Sequence, residues 1–283
     1  MELHHFFTAQ RVLIVAGKGG VGKSAVAAAL AKLCASTGLS TLLVTLDAPS
    51  IELPATEGLE QVVVTPGRAL ADYLSSKGMG LLSRQLARSG IVELVATTAP
   101  GLDDLLVLGR IKAFERENRA EVIIIDGPAA GHAIDLVRAP TQLKNAVGSG
   151  AISQQADEVL DMLSDPTRCK MLMVTTAAFT PVSEAAEVIE ELKNSVGISL
   201  TPIVVNKCEP PLPHISVDPT DTTALNAYEY LTQRAAAQQE SLEHLTQVID
   251  LPQLHVERRR LQGADLIDSI ALDLADAIGE LHE

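Results

Sequence analysis

The sequence predicts an α/β domain in which helices flank a doubly wound, mostly parallel sheet. Three features indicate this class: short apolar runs rich in β-branched residues, helical patterns between most of them, and a glycine-rich segment that joins the first run to the first helix. Most of the runs lack polar alternation, which is typical of strands buried on both faces of a parallel sheet. The predicted strands cover residues 12–16, 41–46, 61–65, 121–125, 171–175, 202–205 and 247–251.

Helical patterns occupy much of the sequence between these strands. An alanine-rich pattern covers residues 24–36, and apolar residues recur at helical spacing in 103–118, 183–193, 222–245 and 264–283. No low-complexity linker interrupts the alternation, so residues 1–283 are predicted to form a single domain. Helical elaborations of that domain are predicted at about residues 67–118 and 141–165.

Composition excludes several classes of function. The 283-residue chain has 22 Lys and Arg against 36 Asp and Glu, a formal net charge of −14, so nucleic-acid binding is not expected. Three cysteines form no disulfide framework, which indicates a reducing, cytoplasmic setting. Residues 1–10 lack the basic and apolar regions of a secretory signal. No window is apolar enough for a membrane span, so no stable membrane insertion is expected.

The strongest functional signal is a phosphate-binding loop. Its residues follow a predicted buried strand and open a predicted helix, which is the context that this motif requires. Glycines let successive backbone N–H groups turn toward one anion, and the helix N-terminus adds partial positive charge. The predicted nucleotide-binding residues are Gly17, Lys18, Gly19, Gly20, Val21, Gly22, Lys23, Ser24 and Ala25. Lys23 is expected to reach the β- and γ-phosphates, and the Ser24 hydroxyl to bind Mg²⁺.

Two aspartates after predicted strands complete the expected ATP and Mg²⁺ site. Asp126 follows the apolar run at 122–125, where its carboxylate would accept a hydrogen bond from the water shell of magnesium. Asp47 follows another strand, where a carboxylate near the γ-phosphate can orient the attacking water. Taken alone, Asp47 is better explained as a residue that caps a turn.

The motifs together resemble the arsenite-pump ATPases and the ATPases that target tail-anchored membrane proteins. The segment from Asp126 through Gly131 to His132 is similar to the D-T-A-P-T-G-H second switch of that family. Residues 100–104 are similar to its P-G-x-D-E motif, and residues 180–185 to its P-V-T-E-A segment. The resemblance runs from about residue 11 to the C-terminus. It implies a P-loop NTPase fold, ATP hydrolysis, and switch roles for Asp47, Asp126 and Gly131.

The same resemblance implies a dimer and an adenine contact. The string from Gly17 to Ser24 resembles the deviant form of the phosphate loop, in which the early lysine, here Lys18, reaches the nucleotide of a partner subunit. A homodimer or a heterodimer with a related ATPase is therefore expected. Asn206 resembles the asparagine at a strand end that reads adenine, and Pro252 is expected to cover the adenine face.

Several positions depart from the family pattern. The first switch reads T-L-D-A-P-S at residues 45–50 where the family has S-T-D-P-A-H, and Ala25 replaces a threonine. Cys34, Cys169 and Cys208 match neither the clustered cysteines of arsenite-carrying members nor the zinc-binding C-x-x-C pair. The acidic C-terminus differs from the basic amphipathic C-terminus of the related division-site ATPases.

These observations favour a dimeric ATPase switch whose nucleotide state controls its interaction with a protein client. One alternative is a scaffold subunit with little hydrolysis that pairs with a paralogue, which the altered first switch and Ala25 would explain. The other is a targeting chaperone for hydrophobic membrane segments, with a groove built from residues 70–99 and 141–165. Each stretch contains a single methionine, Met79 or Met162, which favours ordinary helical core over a groove.

Overall fold

The computed structural model describes residues 1–46, 51, 53–76, 100–195, 197–212 and 220–281. Within them, eight strands form one sheet in which every pairing is parallel. The strand order is β3-β2-β4-β1-β5-β7-β8, and β6 also pairs with β5. The strands are β1 (Val12–Gly17), β2 (Thr41–Thr45), β3 (Leu59–Val63), β4 (Val122–Ala129), β5 (Cys169–Thr176), β6 (Ser199–Leu200), β7 (Ile203–Cys208) and β8 (Gln253–Glu257).

Helices cover both faces of this sheet, which confirms the predicted doubly wound α/β class. On one face α1, α2 and α9 pack over a core that includes Phe7, Leu13 and Leu30. On the other face α4 to α7 pack over a core that includes Ile14, Leu108 and Val159. The helices are α1 (Leu3–Thr8), α2 (Lys23–Ser36), α3 (Pro66–Ser76), α4 (Leu102–Arg116), α5 (Ala130–Val147), α6 (Ala151–Ser164), α7 (Phe179–Ser195), α8 (Thr222–Val248) and α9 (Gly263–Gly279).

The predicted strand at residues 247–251 is wrong. Residues 247 and 248 end α8, and the strand of this region is β8, which begins at Gln253. The apolar run was misleading because Leu245 and Ile249 lie one helical turn apart and are both buried against the same core. A short apolar run has the same composition at the end of a buried helix as in a buried strand, so periodicity does not separate the two.

Among the described residues, helices occupy most of the stretches predicted as elaborations. Helices α3 and α4 fall within 67–118, and the end of α5 together with α6 falls within 141–165. Residues 77–99 lie outside the described part of the chain. In that described part, no helix is both long and apolar enough to cross a membrane.

Candidate functional site

The phosphate loop leaves the centre of the sheet. Strand β1 lies between β4 and β5, all six of its residues are buried, and α2 begins at Lys23, six residues after the strand ends. An ideal Cβ on Gly17 would stand 2.2 Å from the carbonyl oxygen of Val174, so β5 leaves no room for a side chain where the loop begins. The loop therefore emerges beside two strands at their carboxyl ends, where parallel sheets bind ligands.

Gly22 sets the geometry of the N-terminal end of α2, which adjoins the phosphate loop. It is the N-cap of α2 with φ of 95°, a conformation that favours glycine. An ideal Cβ there would stand 2.4 Å from the Asn206 amide nitrogen. Both the backbone conformation and the close approach of Asn206 require glycine at this position. The N-cap of α2 thus lies at the end of the phosphate loop, where a helix N-terminus can bind an anion.

The two loop lysines point to different partners. The Lys23 ammonium lies 3.4 Å from the carbonyl oxygen of Lys18, inside the loop where phosphates would bind. The Lys18 ammonium pairs with the Glu184 carboxylate on α7, and both side chains are substantially exposed. Lys18 is therefore directed away from the loop of its own chain.

Asp126 lies beside the phosphate loop inside β4. It pairs in register with Val15 of β1 and Thr45 of β2. The sequence placed Asp126 just after its strand, whereas β4 continues to Ala129 and Gly131 lies in the first turn of α5. An ideal Cβ on Gly127 would stand 2.5 Å from the Val15 carbonyl oxygen, which explains how β4 can continue so close to β1.

The oxygen donors available beside the loop suit magnesium. Ser24 lies in the first turn of α2, and Asp126 lies on the strand next to β1. A hydroxyl and a carboxylate are the ligand types that Mg²⁺ prefers, and it usually keeps several waters. Among the described residues, no group of three or more His, Cys, Asp or Glu side chains could hold a metal by itself. Asp47 lies outside the described residues.

Asn206 and Lys207, at the end of β7, donate hydrogen bonds to carbonyl groups of the phosphate loop. The Asn206 amide donates to the Val21 carbonyl at 2.8 Å, and the Lys207 ammonium donates to the Gly20 carbonyl at 2.7 Å. Asn206 is therefore buried under the loop, and its expected contact with adenine stays a prediction. Sequence analysis gave Lys207 no role, since an exposed lysine at the end of a strand carries no local signal.

Pro252 does not lie at this edge of the sheet, and its expected role over adenine is wrong. Its carbonyl accepts a hydrogen bond at 2.9 Å from the backbone N–H of Ile203, the first residue of β7. Asn206 is three residues further along β7, about 10 Å toward the carboxyl edge. The error follows from the misplaced last strand: Pro252 precedes β8 instead of following a strand at 247–251.

A cavity of about 750 Å³ opens next to the loop. Its lining includes Gly20, Phe179, Lys207, His244 and Arg258. The Phe179 and His244 rings are stacked, with centroids 4.9 Å apart. A cavity of this size and mixed lining is in the range of small-molecule sites.

The P-G-x-D-D segment packs against α5. Gly101 is the N-cap of α4 with φ of 80°, and an ideal Cβ on it would stand 3.1 Å from the Ala139 Cβ of α5. Burial raises the pKa of the Asp104 carboxyl, and the nearby Asp103 and Asp135 carboxylates raise it further, whereas His132 lowers it. Repulsion among these carboxylates makes the protonation of Asp104, in α4, depend on the charge of Asp135 in α5.

The three cysteines are buried, free thiols. Burial is the main cause that raises the pKa of Cys34 to about 11, of Cys169 to about 12 and of Cys208 to about 11. Thiols of this kind are poor metal ligands and poor nucleophiles, because both roles need the thiolate.

Comparison with known proteins assigns this geometry to a family. Residues 12–245 match the family described as the CobQ/CobB/MinD/ParA nucleotide binding domain. The chain belongs to this family. Its P-loop ATPase domain thus spans the phosphate loop, Asp126, Asn206 and most of α8.

Among relatives, the chain is 25% identical to a Halobacterium salinarum protein provisionally named arsenical pump-driving ATPase, over 95% of this chain and 45% of the relative. It is 29% identical to ATPase BagA of Mycobacterium tuberculosis, over 70% of this chain and 65% of BagA. It is 23% identical to ATPase GET3B of Arabidopsis thaliana, over 72% and 66% of the two chains. The expected resemblance is confirmed for ATPases that are named arsenical pump-driving and GET3. The chain spans less than two thirds of the first two of these relatives.

Proposed function

We propose that this chain binds Mg-ATP at the phosphate loop, hydrolyses it, and uses its nucleotide state to control association with a second ATPase subunit and a protein client. The observation that carries the proposal is the loop itself. A glycine-capped α2 N-terminus, the Lys23 ammonium and the neighbouring Asp126 surround one position beside the central strand. This arrangement suits a polyphosphate with its magnesium ion.

Each group in and beside the loop would have its own role in binding and hydrolysing Mg-ATP. Backbone N–H groups of the loop and of the first turn of α2 would bind the phosphates, and Lys23 would balance charge on the β- and γ-phosphates. Ser24 would hold magnesium directly, and Asp126 through water. Bound magnesium supplies positive charge that stabilises negative charge on the transferring phosphoryl group. Asp47 would orient the attacking water near the γ-phosphate.

Lys18 supports the dimeric part of the proposal. Its ammonium pairs with Glu184 and lies on an exposed part of the loop. A lysine in that position can reach a nucleotide held by a neighbouring subunit, where its charge would stabilise the transition state. The name of one relative, arsenical pump-driving ATPase, fits a switch that acts on another protein.

A scaffold with little hydrolysis is the second candidate function. Ala25, in the first turn of α2, provides no hydroxyl for the α-phosphate, and the first switch departs from the family pattern. A targeting chaperone has less support. Val159, Met162 and Leu163 of α6 are fully buried in the core, so they are not available to line a client groove.

Binding of a fluorescent ATP analogue and phosphate release, each measured with Mg²⁺, test the proposal. Lys23→Ala is expected to lower kcat/KM by about a hundredfold, the scale of losing one electrostatic stabiliser. Lys193→Ala, a change of an exposed lysine on α7, is the matched control and should leave both measurements unchanged. Phosphate release no faster than in Lys23→Ala would favour the scaffold.

Solution scattering with and without Mg-ATP tests the assembly. If the chain forms a homodimer, we expect its mass in solution to double when Mg-ATP is added. A mass that stays at one subunit at every nucleotide state would remove the homodimer and leave pairing with a related ATPase. ATP-dependent copurification with a tail-anchored helix would favour the chaperone.

A further inference from the structure

Lys207 has an uncommon backbone conformation for its residue type. Its φ is 61°, and the only other described non-glycine residue with positive φ is Asn118. Asparagine adopts the left-handed region more readily than a long side chain such as lysine does. Lysine at this position therefore carries a conformational cost, which directs attention to the contacts of its side chain.

That side chain acts together with Asn206 on consecutive carbonyls of the phosphate loop. The Lys207 ammonium donates to the Gly20 carbonyl at 2.7 Å, and the Asn206 amide donates to the Val21 carbonyl at 2.8 Å. The Asn206 side-chain oxygen accepts the Lys207 backbone N–H at 2.9 Å, which fixes the orientation of the amide. The end of β7 thus holds two successive loop peptides by their oxygens.

Holding these oxygens determines where the loop N–H groups point. In a planar trans peptide, the C=O of one residue and the N–H of the next point in opposite directions. With the oxygens of Gly20 and Val21 held toward β7, the N–H groups of Val21 and Gly22 face away from β7. The Val21 N–H accordingly points across the loop toward the Lys18 carbonyl, 3.5 Å away.

We infer that Lys207 is a positioning residue for phosphate binding. It keeps the Gly20 carbonyl turned toward β7, and so out of the position where an anion would bind, before the nucleotide arrives. A preorganised loop loses less free energy on binding, because its donors need not be reoriented. The inference rests on the proposed binding of Mg-ATP. It assigns to Lys207 a role in affinity that is separate from its effect on the fold.

Three substitutions separate affinity from stability. Lys207→Met removes the donor and keeps the conformational cost of the positive φ. Lys207→Gly removes the donor and that cost, and Lys207→Arg keeps a charged donor. Lys193→Met is the matched control, since Lys193 is exposed on α7. The measurements are Kd for a fluorescent ATP analogue with Mg²⁺ and the thermal midpoint of each nucleotide-free protein.

Affinity should follow the donor, and stability should follow the backbone conformation. We expect Kd to rise about tenfold in both Lys207→Met and Lys207→Gly, the effect of losing one charged hydrogen bond. Lys207→Arg should stay within about threefold of the unsubstituted protein. Lys207→Gly should melt at a higher temperature than Lys207→Met, because glycine tolerates positive φ.

Three outcomes would overturn the inference, and the last is distinguishable from the first two. If Lys207→Gly binds the analogue as tightly as the unsubstituted protein does, the side chain does not position the loop. The same conclusion follows if Kd changes only in step with the melting temperature across the series. If the unsubstituted protein binds no analogue, the proposed function itself is contradicted, and the positioning role with it.

Discussion

The Lys18 ammonium forms an ion pair with the Glu184 carboxylate, which lies in the second turn of α7. The pair joins the exposed end of the phosphate loop to the helix that follows β5. Both side chains are partly exposed, 44% for Lys18 and 39% for Glu184, so the pair is screened by water. Exposed pairs contribute about 0.2–1 kcal/mol, which means that Lys18 can leave Glu184 at small cost.

Glu184→Gln should make assembly-dependent hydrolysis easier. Without its carboxylate partner, Lys18 is available to a neighbouring subunit without first breaking an ion pair. We expect the protein concentration that gives half-maximal phosphate release per subunit to fall about two- to fivefold. Glu187→Gln, an exposed change on the same helix, should have no effect. Slower phosphate release at saturating protein concentration would contradict the idea that Glu184 holds Lys18 back from the neighbouring subunit. It would instead give Glu184 a direct role in hydrolysis.

Gly22→Ala should abolish nucleotide binding and destabilise the fold. The new methyl group would meet the Asn206 amide, 2.4 Å from the ideal Cβ position, at a residue with φ of 95°. Conformational cost and overpacking together should lower the free energy of unfolding by about 3 kcal/mol. Gly38→Ala isolates the conformational part, since φ is 88° there and nothing lies within 4 Å of the Cβ.

Chemical denaturation with and without Mg-ATP measures both effects. The Gly38→Ala change should cost about 1 kcal/mol and leave nucleotide binding intact. If the two substitutions lower the free energy of unfolding equally, the Asn206 side chain moves aside freely. Its contact with Gly22 would then not restrict the phosphate loop.

Asp47→Asn should separate hydrolysis from binding. If the Asp47 carboxylate orients the attacking water, its replacement by an amide should lower phosphate release at least about a hundredfold. Kd for Mg-ATP should stay within about twofold, because the phosphates are held by the loop and by Lys23. Phosphate release that survives undiminished would reject the catalytic role and leave Asp47 as a residue that caps a turn.

Asp104→Asn should stabilise the protein at neutral pH. Burial first, and then Asp103 and Asp135, raise the pKa of Asp104 above its ordinary value of 3.8. The folded state therefore favours the protonated carboxyl. The stability that this protonation provides is present below pH 3.8 and is lost as pH rises through the folded-state pKa. The amide removes this loss, so Tm at pH 7 should rise by about 2 °C.

The pH dependence of that difference is the decisive measurement. The Tm advantage of Asp104→Asn should shrink as the pH is lowered from 7 toward 4. Asp165→Asn is a matched control of opposite sign, because hydrogen bonds from Thr167 lower the pKa of Asp165. It should lower Tm at pH 7, with the difference fading in acid. An Asp104→Asn advantage that is the same at both pH values would indicate packing instead of ionisation.

The sequence by itself determined the sheet class, the phosphate loop and the family. These features are local: buried strands have apolar runs, and an anion-binding turn needs glycines followed by a lysine at a helix start. The prediction failed at residues 247–252, where an apolar helix end and a buried strand have the same composition. Because of that error Pro252 was predicted to follow the last strand and to lie at its carboxyl end. In the structure Pro252 precedes β8 and lies at the opposite edge of the sheet.

Tertiary structure alone decided which residues support the loop. Glu184 lies 166 positions from Lys18, and Lys207 lies 187 positions from Gly20. Their contacts depend on β1 lying beside β5, on β7 lying beyond β5, and on where each of these strands ends. Strand order and register are set by the packing of the whole core, which no local pattern encodes. For that reason the sequence identified the residues expected to touch the phosphates, while the fold showed which residues hold the loop.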